Sequence, residues 1–316
     1  MTEPAIAIHA GCGVMPRTGL SEADWEAARQ DLAAALRAGW QVLKGGGSAL
    51  DAVEAAVVVM EDSPHFNAGH GAALNTAAEH ELDASIMGGG DLAAGAVTLL
   101  RHVRNPIRAA RALLEAGGPV MLGGAAADAF AKEAGLEMVD QAYFTTERRV
   151  EALVSLKQRA QDGTIRSASE AEKHGTVGAV ALDVNGHLAA ATSTGGYNNK
   201  PAGRIGDSPL IGAGTYARDG VCAVSGTGAG EFFIRHVVGH EISSRVAYLN
   251  EKIAEAAGHV VLTDLARYGI GAGVVAIDAV GNVTAPYNTE GMFRGWITPD
   301  GHLSVGTHAD IISLPL

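Results

Sequence analysis

Hydrophobic positions along the chain switch between helical and strand spacing, and short glycine-rich turns separate the two patterns. The first helical stretch follows a capping sequence that begins at Ser21. Its apolar residues recur at helical spacing: Trp25, Leu32, Leu36, Trp40 and Leu43. A second capping sequence at Ser48 starts another helix. The same reasoning predicts one helix that begins at Asn105 and further helices over 123–134, 145–156 and 232–249.

Strand patterns alternate with these helices. The predicted strands cover 5–9, 81–86, 94–100, 177–182, 187–192, 221–225, 271–278 and 282–285, and the first runs into a glycine-rich turn over 10–13. The pair Asn185-Gly186 is a strong hairpin signal between two of them. Strands that are joined by hairpins rather than crossovers indicate antiparallel sheets covered by helices, which is an α+β fold.

A polar segment interrupts this pattern between Gln158 and His174, where Ile165 is the only strongly apolar residue. It predicts an exposed, flexible linker over about 158–175, of the kind in which a chain break is tolerated. Gly175 ends this segment, and Thr176 begins the next strand. A threonine hydroxyl is a weak nucleophile, but a freed α-amine with a pKa near 7.7–8.0 can act as its base. A glycine before a strand is common, so this boundary alone decides little.

Composition limits the classes of protein that this chain can belong to. With 316 residues, 47% hydrophobic, the chain can build a sizeable core in one large domain or two ordinary ones. Its formal net charge of −12 argues against a general nucleic-acid binder. Cys12 and Cys222 stand in no metal-binding spacing and read as two buried thiols. Without a leader pattern or an apolar run of roughly 20 residues, we expect a cytoplasmic protein that has no membrane partner.

Three glycine-rich segments follow the boundary at Thr176, over 193–196, 203–209 and 226–231. Together with 8–13, 66–69 and 81–84 they resemble the plant-type L-asparaginase / isoaspartyl peptidase family of N-terminal nucleophile hydrolases. The resemblance covers most of the chain and is weakest over 135–175. It implies a single Ntn-hydrolase domain over 1–316, built as an αββα four-layer sandwich with antiparallel sheets. It also implies self-cleavage between Gly175 and Thr176 into an α subunit, 1–175, and a β subunit, 176–316.

The resemblance assigns a role to each matching residue. Thr176 is the implied nucleophile and its freed amine the base, while Thr194 orients it. The implied oxyanion donors are the Thr227 hydroxyl and the Gly228 N–H. The implied substrate-binding residues are Arg204 for the α-carboxylate, Asp207 for the α-ammonium, and Gly230. Taken singly, Arg204 and Asp207 also fit an ordinary surface pair, and 226–231 a dinucleotide loop with the wrong spacing.

The activity that this resemblance implies is hydrolysis of β-aspartyl amides. Isoaspartyl dipeptides would give aspartate and an amino acid, and L-asparagine would give aspartate and ammonia. A glycosylasparaginase-like amidase is the nearest alternative, although Gly195 and residues 229–231 favour the isoaspartyl side. From another class, the alternative is an uncleaved, non-catalytic binding protein. The implied assembly is a dimer of αβ heterodimers.

The resemblance also implies a structural sodium ion, and no cofactor that catalysis requires. The sodium ligands would be the backbone carbonyls of Met60, Glu61, Ser63, Phe66, Ala68 and His70. The residues themselves fit a packed loop without an ion equally well. The sequence departs from the family pattern at Ala10, Gly88 and Ala229.

Overall fold

A computed structural model of the 316-residue chain describes residues 2–13, 15–162 and 175–316. Its helices are α1 Glu22–Lys44, α2 Ala49–Asp62, α3 Pro106–Ala116, α4 Ala125–Glu133, α5 Glu147–Gln161, α6 Gly230–His236, α7 Val238–Leu249 and α8 Ile253–His259, with shorter helical turns at Gln141–Phe144, Val260–Leu265 and Ala266–Tyr268. Its strands are β1 Ala5–Gly13, β2 Leu82–Gly88, β3 Ala94–Leu100, β4 Met121–Gly123, β5 Val177–Leu182, β6 Leu188–Thr194, β7 Thr215–Arg218, β8 Cys222–Gly228, β9 Ala272–Asp278, β10 Val283–Thr284, β11 Gly291–Ile297, β12 Leu303–Gly306 and β13 Ile311–Leu314.

These strands form two sheets. The larger has nine strands in the order β13-β12-β11-β1-β5-β6-β2-β3-β4, and the smaller has four in the order β10-β9-β8-β7. The strand pairs are antiparallel, except that β3 and β4 run parallel. The mixed α and β content and the predicted hairpins β2–β3, β5–β6 and β9–β10 are therefore confirmed.

Alternate residues of the central strands belong to different cores, because successive side chains of a strand point to opposite faces. In β5, Ala179 and Ala181 join the core that α1–α3 cover, while Val180 joins the core between the two sheets. In β9, Val275 faces that middle core, while Val274 joins a third core with residues of α7 and α8. Residues of both sheets thus share the middle core, and helix residues join the first and third cores.

Side-chain caps explain where the first two helices begin. The Ser21 Oγ accepts a hydrogen bond from the Asp24 N–H at 3.1 Å, and the Ser48 Oγ accepts one from the Asp51 N–H at 3.2 Å. Both predicted capping sequences are confirmed.

Hairpin geometry brings the two ends of the β5–β6 pair together. Asp183 Oδ1 accepts hydrogen bonds from the Asn185 and His187 N–H groups and fixes the turn. In this register Val177 lies opposite Ser193. The residues just outside that pair, Thr176 and Thr194, therefore lie at the same edge of the sheet.

Several element boundaries differ from the sequence prediction. The predicted turn over 10–13 is a continuation of β1, with a bulge between His9 and Cys12. The predicted helix over 232–249 is broken at Val237, whose φ of 49° is left-handed. Helix α5 extends to Gln161, so the predicted linker starts later than Gln158. Its remainder over 163–174 lies outside the described residues.

The prediction omitted five strands, β4, β7, β11, β12 and β13. Cys12 and Cys222 are both buried as thiols, as predicted. Among the described residues, no helix has the length and apolar character that a membrane span needs.

Candidate active site

Thr176 lies directly before β5 and is 8% exposed. Its hydroxyl donates a hydrogen bond to the Thr194 Oγ1 at 3.1 Å. The Thr194 oxygen also accepts a hydrogen bond from the Gly196 N–H at 3.0 Å, which holds its orientation. The structure therefore brings together the two threonines that sequence reasoning singled out as nucleophile and orienting group.

The carbonyl oxygen of Gly175 is held by two donors. Asn67 Nδ2 donates to it at 2.7 Å, and the Thr194 hydroxyl donates at 3.1 Å. Asn67 is itself fixed, because Nδ2 also donates to the Gly196 carbonyl at 2.6 Å and Oδ1 accepts from the Ala73 N–H at 2.7 Å. Both side chains thus donate to the carbonyl oxygen of the Gly175–Thr176 peptide bond, which we predict to break.

Sequence reasoning gave Asn67 no role. The residue stands in the motif 66–69 that carries the resemblance, but the two carbonyls to which it donates lie more than 100 residues away along the chain. A signal was present in the sequence, since a buried asparagine in a glycine-containing loop needs partners for its amide. The sequence could not specify which partners these are.

Gly11 allows the first strand to approach this bond. Its φ is +106°, and a Cβ at this position would lie 2.8 Å from the Gly175 Cα and 3.3 Å from the Thr176 nitrogen. A side chain at Gly175 would in turn lie 2.7 Å from the Asn67 Cβ. Only glycine fits both places without a backbone shift.

Five of the predicted site residues line one narrow cleft, together with Gly175. They are Thr176, Thr194, Arg204, Asp207 and Gly228. The free space in the cleft is about 10 Å³, whereas small-molecule sites usually hold about 300–1,000 Å³. In the uncut chain, Gly175 thus forms part of the wall of a cleft that is too small for a substrate.

Arg204 stands in this cleft with its guanidinium over the Tyr197 ring, 4.8 Å from the ring centroid. Its Nε donates to the Glu231 Oε1 at 3.0 Å. The glutamate is partly exposed at the start of α6, so the fork of Arg204 already binds a carboxylate here. Sequence reasoning missed both Tyr197 and this use of Glu231.

Asp207 is 6% exposed, and its Oδ2 has no hydrogen-bond partner among the described residues. Burial raises the pKa of this carboxyl to about 7, against the lowering effect of its own backbone N–H and of Arg204. A bound ammonium group would supply the missing partner and favour the charged form. Gly230 leaves room for such a group, because a Cβ there would lie 2.7 Å from Asp207 Oδ1 and 2.9 Å from Arg204 Nη2.

Thr227 and Gly228 end strand β8 beside the cleft. The Thr227 Oγ1 is buried and has no partner within the described ranges of the chain. Gly228 has a φ of +143°, and a Cβ there would lie 2.5 Å from the Gly271 carbonyl oxygen. The hydroxyl is therefore available as a donor, and the backbone at Gly228 keeps a conformation that side chains rarely adopt.

His9 lies close to Thr176 but is unsuited to act as its base. Burial lowers the pKa of His9 to about 3, against the raising effect of a hydrogen bond to the Thr176 backbone. The ring nitrogen Nε2 lies 3.0 Å from the Ser225 Oγ, whereas the Thr176 hydroxyl bonds to Thr194. The neutral ring thus belongs to the packing between the two sheets.

The loop over 60–71 contains the six residues whose carbonyls we predict to bind sodium. The Glu61 carbonyl accepts from the His70 N–H at 2.7 Å, and a Cβ at Gly71 would lie 2.8 Å from the carbonyl oxygens of Phe66 and Pro64. Glu61 and Phe66 are two of the six predicted sodium ligands, and hard cations prefer such oxygens. The Glu61 carbonyl already accepts a hydrogen bond, and the sodium site stays a prediction.

Comparison with known proteins gives matches over nearly the whole chain. Residues 2–307 match the family described as asparaginase. The chain is 44% identical to the isoaspartyl peptidase of Escherichia coli, over 94% of this chain and 93% of the relative. It is 38% identical to a probable isoaspartyl peptidase/L-asparaginase 2 of Arabidopsis thaliana, over 95% and 98%. It is also 44% identical to the human isoaspartyl peptidase/L-asparaginase, over 73% of each chain.

Proposed function

We propose that this chain, which belongs to the asparaginase family, is an amidohydrolase that cleaves β-aspartyl amide bonds. Its substrates are isoaspartyl dipeptides, which give aspartate and an amino acid, and L-asparagine, which gives aspartate and ammonia. The names of relatives at 38–44% identity over most of the chain support this activity. The observation that carries the mechanism is the contact of the Thr176 hydroxyl with Thr194 beside the doubly held Gly175 carbonyl.

The first step is self-cleavage. The Thr176 hydroxyl attacks the Gly175 carbonyl carbon. Its proton passes to the Thr176 nitrogen as the peptide C–N bond breaks and an ester to the Thr176 Oγ1 forms. Asn67 and Thr194 donate to the carbonyl oxygen as it gains negative charge. Water then hydrolyses the ester, which leaves a carboxylate on Gly175 and a free amine on Thr176.

The mature centre then acts on substrate. The freed Thr176 amine takes the proton of the Thr176 hydroxyl, which attacks the β-carbonyl of the substrate. The Thr227 hydroxyl and the Gly228 N–H receive the developing oxyanion. The amine passes its proton to the leaving nitrogen as the C–N bond breaks, and water releases aspartate from the acyl-enzyme.

Substrate recognition uses the two charged residues of the cleft. Arg204 binds the α-carboxylate as it binds the Glu231 carboxylate here, and Asp207 binds the α-ammonium. Removal of Gly175 from the cleft wall makes room for the substrate. Activity therefore depends on cleavage.

The wider assignments belong to the same proposal. The fold is an Ntn-hydrolase αββα sandwich, supported by three cores that alternate with the two sheets. The carbonyls of Glu61 and Phe66 hold a structural sodium ion together with those of Met60, Ser63, Ala68 and His70. The protein works in the cytoplasm as a dimer of αβ heterodimers, and the two buried thiols fit a reducing compartment.

Assays with both substrate types test the proposal. Purified protein is expected to run as two fragments divided at Thr176 and to release aspartate from L-asparagine and from β-aspartyl-leucine. Thr176→Ala is expected to stay uncut and inactive. Equal turnover by that variant, or activity in a chain that remains whole, would overturn the mechanism.

A further inference from the structure

A second cavity lies on the other side of Gly175. It has a volume of about 510 Å³, which is within the usual range of small-molecule sites. Gly11, Asn67 and Gly175 line it, and Gly175 also lines the candidate active site, so this residue separates the two spaces. In the proposed mechanism, cleavage frees the carboxyl end of Gly175, and departure of that end would join the cavity to the cleft.

One side of this cavity is apolar and aromatic. Trp25 and Phe66 both contact Phe293, with ring centroids 5.6 and 5.7 Å apart. Trp25 and Phe66 are buried, so their ring faces form a fixed wall. Such a wall suits an apolar side chain of a ligand.

The other side carries two guanidinium groups. Arg149 is half-buried, and Arg148 is exposed beside it. Each donates to a backbone carbonyl, Arg148 Nη2 to His65 at 3.2 Å and Arg149 Nε to Gly71 at 2.7 Å. Within the described residues neither forms an ion pair with a carboxylate. Burial lowers the pKa of Arg149 to about 9, and the charge of Arg148 acts in the same direction.

This arrangement concentrates positive charge in a chain whose net charge is −12. Asp24 is the carboxylate that acts on Arg148 over a distance. The cavity thus combines one exposed and one half-buried guanidinium with an aromatic wall. An amino acid with an apolar side chain and a free carboxylate complements both features.

The chemistry of the proposed reaction places the leaving group on this side. The Thr176 nitrogen gives its proton to the leaving nitrogen, so the two must lie within hydrogen-bond distance. A Cβ at Gly11, which lines the cavity, would lie 3.3 Å from the Thr176 nitrogen. The edge of the cavity at Gly11 therefore lies beside the nitrogen that the leaving group must contact.

We propose that this cavity is the leaving-group subsite for isoaspartyl dipeptides, with Arg148 and Arg149 binding the C-terminal carboxylate and the aromatic wall binding an apolar side chain. The inference rests on the proposed function, because it names the part of the substrate that the cleft does not hold. L-Asparagine, whose leaving group is ammonia, reaches neither arginine.

The test compares kcat/KM for β-aspartyl-leucine, for its C-terminal amide and for L-asparagine. We expect the wild-type enzyme to prefer the free carboxylate over the amide by about tenfold, as a charge-assisted hydrogen bond implies. Arg148→Gln is expected to abolish most of that preference and to lower the ratio of β-aspartyl-leucine to L-asparagine turnover by a similar factor. Arg149→Gln provides a second variant, and fragment formation at Thr176 is measured for each protein.

Lys157→Gln is the matched control, since it removes one positive charge from the same helix, where Lys157 donates to the Thr76 carbonyl outside the cavity. It is expected to leave both ratios unchanged. Equal turnover of the free and amidated dipeptides by wild-type enzyme would overturn the subsite while asparagine hydrolysis still supports the function. Arginine variants that alter only the rate of chain cleavage, with both substrate ratios unchanged, would assign the arginines to maturation and would also overturn it. Loss of all three activities in cleaved wild-type protein would reject the proposed function instead.

Discussion

Replacement of Asn67 by alanine should slow self-cleavage far more than it alters the fold. Asn67 is one of two donors on the Gly175 carbonyl oxygen, at 2.7 Å, and the other is the Thr194 hydroxyl at 3.1 Å. Removal of one donor of this kind costs roughly 10²–10³ in rate, or about 2.7–4 kcal/mol of transition-state stabilisation. The Thr194 hydroxyl remains, so slow cleavage should persist.

The assay follows the appearance of fragments 1–175 and 176–316 from freshly purified uncut protein on a denaturing gel, with intact mass to identify the ends. Asn198→Ala is the matched control. Asn198 is also buried and also anchors this region, accepting from the Leu74 N–H at 2.9 Å and donating to the Arg149 carbonyl at 3.3 Å. Among the described residues, Asn198 forms no hydrogen bond with the Gly175 carbonyl.

A general loss of loop packing would slow both variants alike, whereas loss of the carbonyl donor slows only Asn67→Ala. The reasoning is refuted when Asn67→Ala matures at the wild-type rate, or when Asn198→Ala is slowed as much. Thermal unfolding of both variants shows whether either has lost the fold. A Thr194→Val variant should add a further reduction, because the second donor is then missing as well.

Three other substitutions test separate parts of the site. Asp207→Asn should raise the free energy of unfolding at pH 8 by up to about 4 kcal/mol, seen as a higher melting temperature, and leave it unchanged at pH 4. The reason is that burial raises the pKa of Asp207 to about 7, so the wild-type protein loses stability as pH rises from 4 to 7. The variant should also turn over asparagine more slowly, and no gain in stability at pH 8 would contradict the assignment. Thr227→Val should lower kcat by roughly 10²–10³ while fragments still form, since its hydroxyl serves substrate rather than cleavage; a block in fragment formation would assign it to the first step. Gly11→Ala should stop cleavage or folding because its methyl would collide with Gly175. The control Gly46→Ala is also at positive φ but has nothing within 4 Å, so it should lower the free energy of unfolding by only about 1 kcal/mol. Similar effects of the two substitutions would mean that backbone strain alone causes the loss at Gly11.

Local signals predicted much of the fold. The caps at Ser21 and Ser48 and the Asn185-Gly186 turn act through contacts within a few residues, so the sequence alone contains their cause. The strand β11 was omitted because its pairing with β1 joins residues nearly 300 positions apart. The break at Val237 could not be expected either, since a β-branched residue disfavours the left-handed conformation that it adopts.

The site divides in the same way. Spacing across one hairpin brings Thr176 to Thr194, and a strand pattern around a turn is enough to suggest that contact. The roles of Arg204, Asp207 and Thr227 came from family resemblance, because no periodic pattern specifies what a loop residue binds. The hydrogen bond from Asn67 to the Gly175 carbonyl joins a loop to a strand edge 108 residues away, so local sequence patterns could not predict it.

The two hydrogen bonds to the Gly175 carbonyl also determine the kinetic order of the proposed self-cleavage. Attacking hydroxyl, target carbonyl and both donors belong to one polypeptide, so the conversion is unimolecular and its half-time is independent of dilution. Under the proposed mechanism, each newly made molecule would mature without a protease or a previously matured copy. A culture in steady growth should then contain a constant fraction of uncut chains, set by the ratio of the growth rate to the rate of self-cleavage.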